Sequence, residues 1–223
     1  MSYQLIDTGN SRSFPAAHPL LDGALLDGAS SSGDVVVLIG ADTGSALNDV
    51  TDRAGRAAIL VELGTESLGT HTGESRGTEG SNVLGFARFR LGDGAPSDLV
   101  ELVRQPATPD SAIAAARAVL EGAGLKVAVC GDFAGRIIDR LIRPYYNASL
   151  RRLDERLATA DDLDLTLKLG LGYPEGPISL LERTGLAHHY DVTSALFETL
   201  GTPDYAPARR AVVAKRRAEK GLK

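Results

Sequence analysis

Between residues 34 and 131 the apolar positions come in short unbroken runs, "VVVLIG" (35–40), "AAILVELG" (57–64) and "LKVAVCG" (125–131), each closed by glycine. Runs of this length bounded by turn residues suit strands buried on both faces, as in a parallel sheet covered by helices. "VLGFARF" (83–89) reads as another strand inside a polar, glycine-dense stretch from 64 to 96, where loops are expected. "PDSAIAAARAVLEGAG" (109–124) is alanine-rich, opens on Pro-Asp-Ser and closes on glycine, which predicts a helix. Strand and helix alternate, so this part is expected to be an α/β layer.

Beyond residue 131 the apolar period lengthens from two to about 3.6. "RIIDRLIRPYYNASLRRLDERLA" (136–158) places Ile137, Leu141 and Tyr145 on one side and continues through Leu150, Leu153 and Leu157. Pro144 is expected to kink or interrupt this helix. In "TADDLDLTLKLGLGYPEGP" Thr159 and Asp162 stand at capping spacing, and "ISLLERTG" and "LAHHYDVTSALFETLG" add two helical runs. The expected architecture is an α/β domain over residues 1–131 followed by an all-α helical domain over 132–223. "LLDGALLDGA" (20–29) repeats five residues twice, too few copies for a solenoid, and reads as a loop or a short helix with a turn.

Composition narrows the function classes. With 223 residues, 43% of them apolar, the chain can bury one substantial core or two small ones. The single cysteine, Cys130, excludes an internal disulfide framework and fits a reducing compartment. No run of about 18 apolar residues is present to span a bilayer, and the start lacks the order of a secretory signal, so a cytoplasmic protein with no membrane partner is expected. A net charge of −5 disfavours broad nucleic-acid binding, although "RRAVVAKRRAEKGLK" (209–223) sets seven basic residues against one acid. An anion-binding face of Arg209, Arg210, Lys215, Arg216 and Arg217 competes there with a solvated helix face. The absence of aromatic residues to stack bases favours the solvated face, and no nucleic-acid partner is expected.

"DVVVLIGADTGSALND" (34–49) has the strand, glycine turn and helix start of a nucleotide-binding unit. A dinucleotide fingerprint needs G-x-G-x-x-G, whose middle glycine lets backbone approach the pyrophosphate. Here Gly40 and Gly44 stand four apart, the middle glycine is absent, and Asp42 puts a carboxylate where phosphate would come close. Glu62 is a nominal candidate for the ribose-binding acid, about 20 positions on. The spacing favours a structural turn, and no cofactor-binding residue is assigned.

"DRLIRPYYNASLRRLDERLATADDLDLTLKLGLGYPEGPISLLERTGL" (139–186) resembles the C-terminal helical domain of the 3-hydroxyacyl-CoA dehydrogenases, with "KLGLGYPEGPISLL" its most specific stretch. The resemblance runs back through residues 98–147 and, more weakly, to 34. On this match the segment at 34 corresponds to a middle strand of the family's cofactor domain. At most 33 residues are left for the family's first strand, fingerprint and adenine-side strands, which implies a reduced Rossmann-like domain.

The resemblance also implies site residues and a role in acyl-CoA (fatty acid) metabolism. In the family a histidine oriented by a glutamate removes the hydroxyl proton while hydride leaves for NAD. The glutamate falls on Glu101. The histidine falls on Ala87 by matching forwards or Phe89 by counting back, and neither is a base; His18, His71, His188 and His189 lie elsewhere. The substrate-contacting serine falls on Ser67, also a natural turn former. The thioester-side asparagine falls on Asp139, which as a carboxylate only accepts hydrogen bonds and reads rather as a salt-bridged helix aspartate, a partner of Arg140 or Arg143. These losses imply a degenerate family member with no nicotinamide cofactor, acting as a scaffold or acyl-CoA-pocket homologue. It would pair through its helical domain, as a homodimer or with a complete dehydrogenase. The alternative is an active NAD-dependent enzyme oxidising 3-hydroxyacyl-CoA to 3-oxoacyl-CoA, with Glu101 or another group as base.

Overall fold

The computed structural model describes residues 3–22 and 34–222. It divides into two compact units, Met1–Arg90 with Pro96–Arg136, and Leu91–Ala95 with Ile137–Lys223.

The first unit is built on a sheet of β1 (Tyr3–Asp7), β2 (Val35–Ile39), β3 (Ala58–Glu62), β4 (Val83–Arg88), β5 (Leu99–Arg104) and β6 (Lys126–Gly131), side by side in chain order. β1 to β4 run parallel, β5 is antiparallel to β4, and β6 is parallel to β5. Every residue of β2 and β3 is buried, as their unbroken apolar runs require. Successive side chains go to opposite faces. Val35, Val37, Ile39 and Leu60 pack with Ala112, Ala116 and Leu120 of α4 (Asp110–Gly122). Val36, Leu38, Ile59 and Val61 pack with Leu47 of α2 (Thr43–Asp49) on the other side. The alanines of α4 let that helix lie close on the sheet. β1 was not legible as a strand; its Tyr3 is buried and donates its hydroxyl to the Leu20 carbonyl at 2.5 Å. Of the "LLDGALLDGA" repeat, only Leu20–Asp22 are described, inside the short α1 (Pro19–Asp22); the rest lies outside the described residues.

The second unit holds α5 (Ile138–Asp154), α6 (Ala160–Leu171), α7 (Pro177–Thr184), α8 (Leu186–Leu200) and α9 (Arg209–Glu219), while the short α3 (Gly69–Thr72) belongs to the first. Of the kink or interruption expected at Pro144, the interruption does not occur: α5 continues through it. Proline has no N–H for the carbonyl four residues back, Arg140. The Tyr205 hydroxyl donates to that carbonyl instead, at 3.0 Å. The apolar stripe read along this helix is split: Leu150 is buried, but Ile137, Leu141 and Leu157 are 39%, 70% and 68% exposed. The inward face is mostly polar, with Asp139, Arg143, Tyr146 and Asn147 beside Leu150.

Thr159 caps α6, its Oγ1 accepting from Asp162 N at 3.1 Å. The "GYPEGP" turn after α6 has a steric reason for its last glycine: a Cβ on Gly176 would lie 2.2 Å from the Asp164 side chain. Asp164, 6% exposed, accepts from Ile178 N (2.8 Å), Ser179 N (2.9 Å) and Ser179 Oγ (2.6 Å), satisfying open donors at the start of α7. Among the described residues no helix is long and apolar enough to cross a membrane.

Candidate functional site

The turn after β2 is held by a carboxylate from the neighbouring strand. Glu62, the last residue of β3, is 4% exposed. Its Oε2 accepts from Ser11 Oγ and Gly40 N, and its Oε1 from Ser13 N, each at 2.7 Å. Gly40 stands at φ +111, and a Cβ there would come within 2.8 Å of Thr8 and Gly9 atoms, so only glycine lets the two loops meet. Thr8 Oγ1 ties the loops again, donating to Ile39 O and accepting from Asp42 N. Arg88 fixes the far side of the 11–14 segment, its Nη1 on Ser13 O at 2.9 Å and its guanidinium over the Phe14 ring. Glu62 is therefore not disposed as a ribose acceptor, because both its oxygens face inward to the loops. The Gly40 N–H at this turn is already taken by Glu62 Oε2.

The register of β4 against β5 pairs Ala87 with Glu101. That settles which of Ala87 and Phe89 faces the acid, and it is the one that carries only a methyl group. Ala87 is 4% and Glu101 3% exposed. The Arg136 guanidinium lies beside Glu101, with Nε 3.4 Å from Glu101 Oε2. Arg136 Nη2 donates to Gly64 O at 2.7 Å. The residue stands at φ +49, a strained conformation for a side chain of this size, directly after Gly135 at φ +73. A guanidinium cannot serve as a base near neutral pH. Ser67 lies half-buried in the loop before α3. The adjacent Glu66 accepts from Gly64 N and pairs with His71 at 3.3 Å; despite desolvation, those contacts hold its carboxyl at about 2. Burial, and then the nearby Glu101 charge, push the Cys130 thiol up to about 11, so it stays protonated and is a poor nucleophile.

Asp139 lies in the second unit. Its Oδ1 accepts from Arg143 Nε at 2.7 Å, with both residues buried. Arg143 Nη1 lies 3.1 Å from His189 Nδ1, and His189 Nε2 lies 3.0 Å from Asn147 Oδ1. Arginine only donates, so Nδ1 accepts and Nε2 carries the proton given to Asn147. Asn147 Nδ2 continues the chain to Thr193 Oγ1 at 2.7 Å and Asp204 O at 3.0 Å. Burial, with Arg143 adding, drives His189 down to about 3, so it is neutral at physiological pH.

Three basic residues of the C-terminal segment are held in ion pairs. Arg209 and Arg210 both pair with Asp154, and Lys215 pairs with Asp191 and Glu219. A cavity of about 640 Å³ opens where β5 and β6 end, with Arg104, Gln105, Asp132 and Phe133 in its wall. Among the described residues no group of three or more His, Cys, Asp or Glu is placed to hold a metal ion.

Sequence reading missed Arg136 and the inward role of Glu62. An arginine after a glycine gave no signal of its target, and the strand position of Glu62 suggested exposure to a ligand rather than to Ser11 and Gly40.

Residues 135–222 match the family described as 3-hydroxyacyl-CoA dehydrogenase, C-terminal domain. Among curated relatives, a 3-hydroxybutyryl-CoA dehydrogenase of Bradyrhizobium diazoefficiens is 33% identical over 110 residues, covering 49% of this chain and 38% of the relative. The human mitochondrial hydroxyacyl-coenzyme A dehydrogenase is 34% identical over 88 residues, 40% of this chain and 28% of its own length. The chain thus matches well under half the length of these relatives. The fold is also that of Mycobacterium tuberculosis FadB2, with a TM-score of 0.67 at 23% identity, covering 86% of this chain and 67% of that one. The (S)-3-hydroxybutyryl-CoA dehydrogenase PaaH1 of Ralstonia eutropha gives 0.66 at 23% identity, covering 84% and 66%.

Proposed function

Because this chain belongs to the 3-hydroxyacyl-CoA dehydrogenase family, through the domain at residues 135–222, we propose that it is a degenerate member, inert in hydride transfer, that acts as an acyl-CoA-pocket homologue or scaffold. The observation that carries this reading is the pairing at the acid matched to the family's orienting glutamate. Glu101 faces the methyl of Ala87, and its nearby charge partner is the Arg136 guanidinium. Removing a hydroxyl proton needs an acceptor with a pKa near the working pH. Neither the methyl of Ala87 nor the guanidinium of Arg136 is such an acceptor.

The loop arrangement around Glu62 supports the same reading at the glycine turn after β2, where the Gly40 N–H is already taken by a carboxylate. No nicotinamide cofactor is part of the proposal; acyl-CoA is its ligand. The partner is a second copy or a complete dehydrogenase, docking on the helical unit, where Leu141, Leu157 and Leu169 are 70%, 68% and 78% exposed.

Purified protein mixed with acetoacetyl-CoA and NADH is expected to show no loss of absorbance at the reduced-cofactor band. Calorimetry is expected to give heat for acyl-CoA and none for NAD. Turnover above the protein-free control, abolished by Glu101→Gln, would establish an active dehydrogenase instead. A strict monomer at high concentration, alone and with a complete dehydrogenase, would remove the docking part.

A further inference from the structure

The environment of Glu62 resembles an occupied anion site rather than a chance ion pair. Ser11 Oγ, Ser13 N and Gly40 N converge on one carboxylate at 2.7 Å each, from two separate loops, with the acid 4% exposed. Hydrogen bonds to a charged acceptor at such distances are the strong kind. The donors are fixed independently of Glu62. Ser11 Oγ also accepts from Phe14 N at 2.9 Å, Ser13 Oγ and Ser13 O hold Arg88, and Thr8 clamps the Gly40 turn. Taking the acid away would therefore leave a shaped hollow with three directed donors, not a collapsed loop.

We propose that Ser11, Ser13 and Gly40 form an oxyanion-binding cradle that the chain keeps filled with its own Glu62 carboxylate, and that a small free monocarboxylate binds there once that side chain is shortened. The ligand class follows from shape and charge. The occupant is a planar group with two acceptor oxygens and one negative charge, reached by two donors on one oxygen and one on the other. Formate or acetate reproduces that pattern, whereas a tetrahedral dianion brings more oxygens and more charge than three donors satisfy. This inference does not depend on whether the chain transfers hydride, since it concerns the self-filled loops alone.

The test is chemical rescue of the full-length chain. Glu62→Ala is expected to melt roughly 5–10 °C below the parent, because buried donors lose their acceptor. Sodium acetate on the order of 100 mM is expected to recover at least half of that loss, while sodium chloride at equal ionic strength recovers little. The parent and Glu62→Gln, whose side chains still fill the hollow, are expected to show no acetate-specific shift. An equal response to acetate and chloride in Glu62→Ala, or an equal acetate shift in all three proteins, overturns the cradle. Rescue by inorganic phosphate but not acetate overturns the assigned ligand class. If Glu62→Ala does not fold in chloride, refolding in acetate supports the cradle and failure in both salts counts against it. Amide resonances of Ser13 and Gly40 that stay unmoved between the parent and Glu62→Gln would count against it too.

Discussion

Arg136 Nε lies 3.4 Å from Glu101 Oε2, with the two side chains 5% and 3% exposed. An ion pair this deep gains Coulomb energy only after both groups have lost their water, so its net worth is small. Removing one partner is a different matter. Arg136→Met removes one charge of this buried pair and should cost about 3–5 kcal/mol of unfolding free energy. Urea titration checks this, and the double variant Glu101→Leu with Arg136→Met should lose less than Arg136→Met alone. A double variant that loses the sum of the two singles would show that the two groups do not act as a pair.

Ala87→His puts an imidazole opposite Glu101 and is the simplest attempt to restore a base. It is expected to yield no NADH-dependent reduction of acetoacetyl-CoA, because Arg136 already stands beside the acid. The enlarged side chain, at a position 4% exposed, should destabilise the first unit by about 1–3 kcal/mol. Turnover in this variant would mean that a missing imidazole was the whole defect.

His189 makes the second unit sensitive to acid. Its folded pKa, about 3, lies below the usual histidine value, so the unfolded chain binds the extra proton first. Stability from this group is therefore complete above about pH 6.5 and is lost progressively as pH falls from there towards 3. At pH 5 the loss should be on the order of 2 kcal/mol. Glu66 adds a loss in the same direction, but only below its ordinary value of 4.5. Melting temperatures at pH 7 and pH 5 should thus differ more in the parent than in His189→Gln, and equal differences would refute the assignment.

Asp164→Ala leaves Ile178 N and Ser179 N without their acceptor at the start of α7. A loss of about 2 kcal/mol is expected, larger than for Thr159→Ala at the exposed cap of α6. Gly176→Ala should be at least as damaging, because its methyl would overlap the Asp164 side chain. Hydrogen exchange at Ile178 and Ser179 would localise both effects.

Local pattern was enough for much of the fold. The runs at 35–40 and 57–64 are β2 and β3 because fully buried parallel strands have no polar face to show, and the helix read over 109–124 is α4. Thr159 announced the start of α6 for a local reason, since a cap reaches only three residues along the chain. β1 escaped notice because Tyr3–Asp7 is short, and three of its five residues are only partly buried. An interruption at Pro144 was also a local inference; α5 continues through it, and the hydroxyl that serves the orphaned Arg140 carbonyl comes from Tyr205, 65 positions away.

The sequence by itself determined the strands β2, β3, β4 and β6, the helix α4, the family resemblance of the helical part and the absence of a histidine from residues 83–94, all of which depend on residue identity or short-range periodicity. Which partner each buried charge takes was decided only by the tertiary structure. Glu62 holds Ser11 and Gly40, Glu101 meets Arg136, and Asp139 holds Arg143, which reaches on to His189. The physical reason is desolvation: a buried charge is tolerable only beside donors or an opposite charge, and apart from the Asp139–Arg143 turn of one helix, the chain must fold before these groups are neighbours.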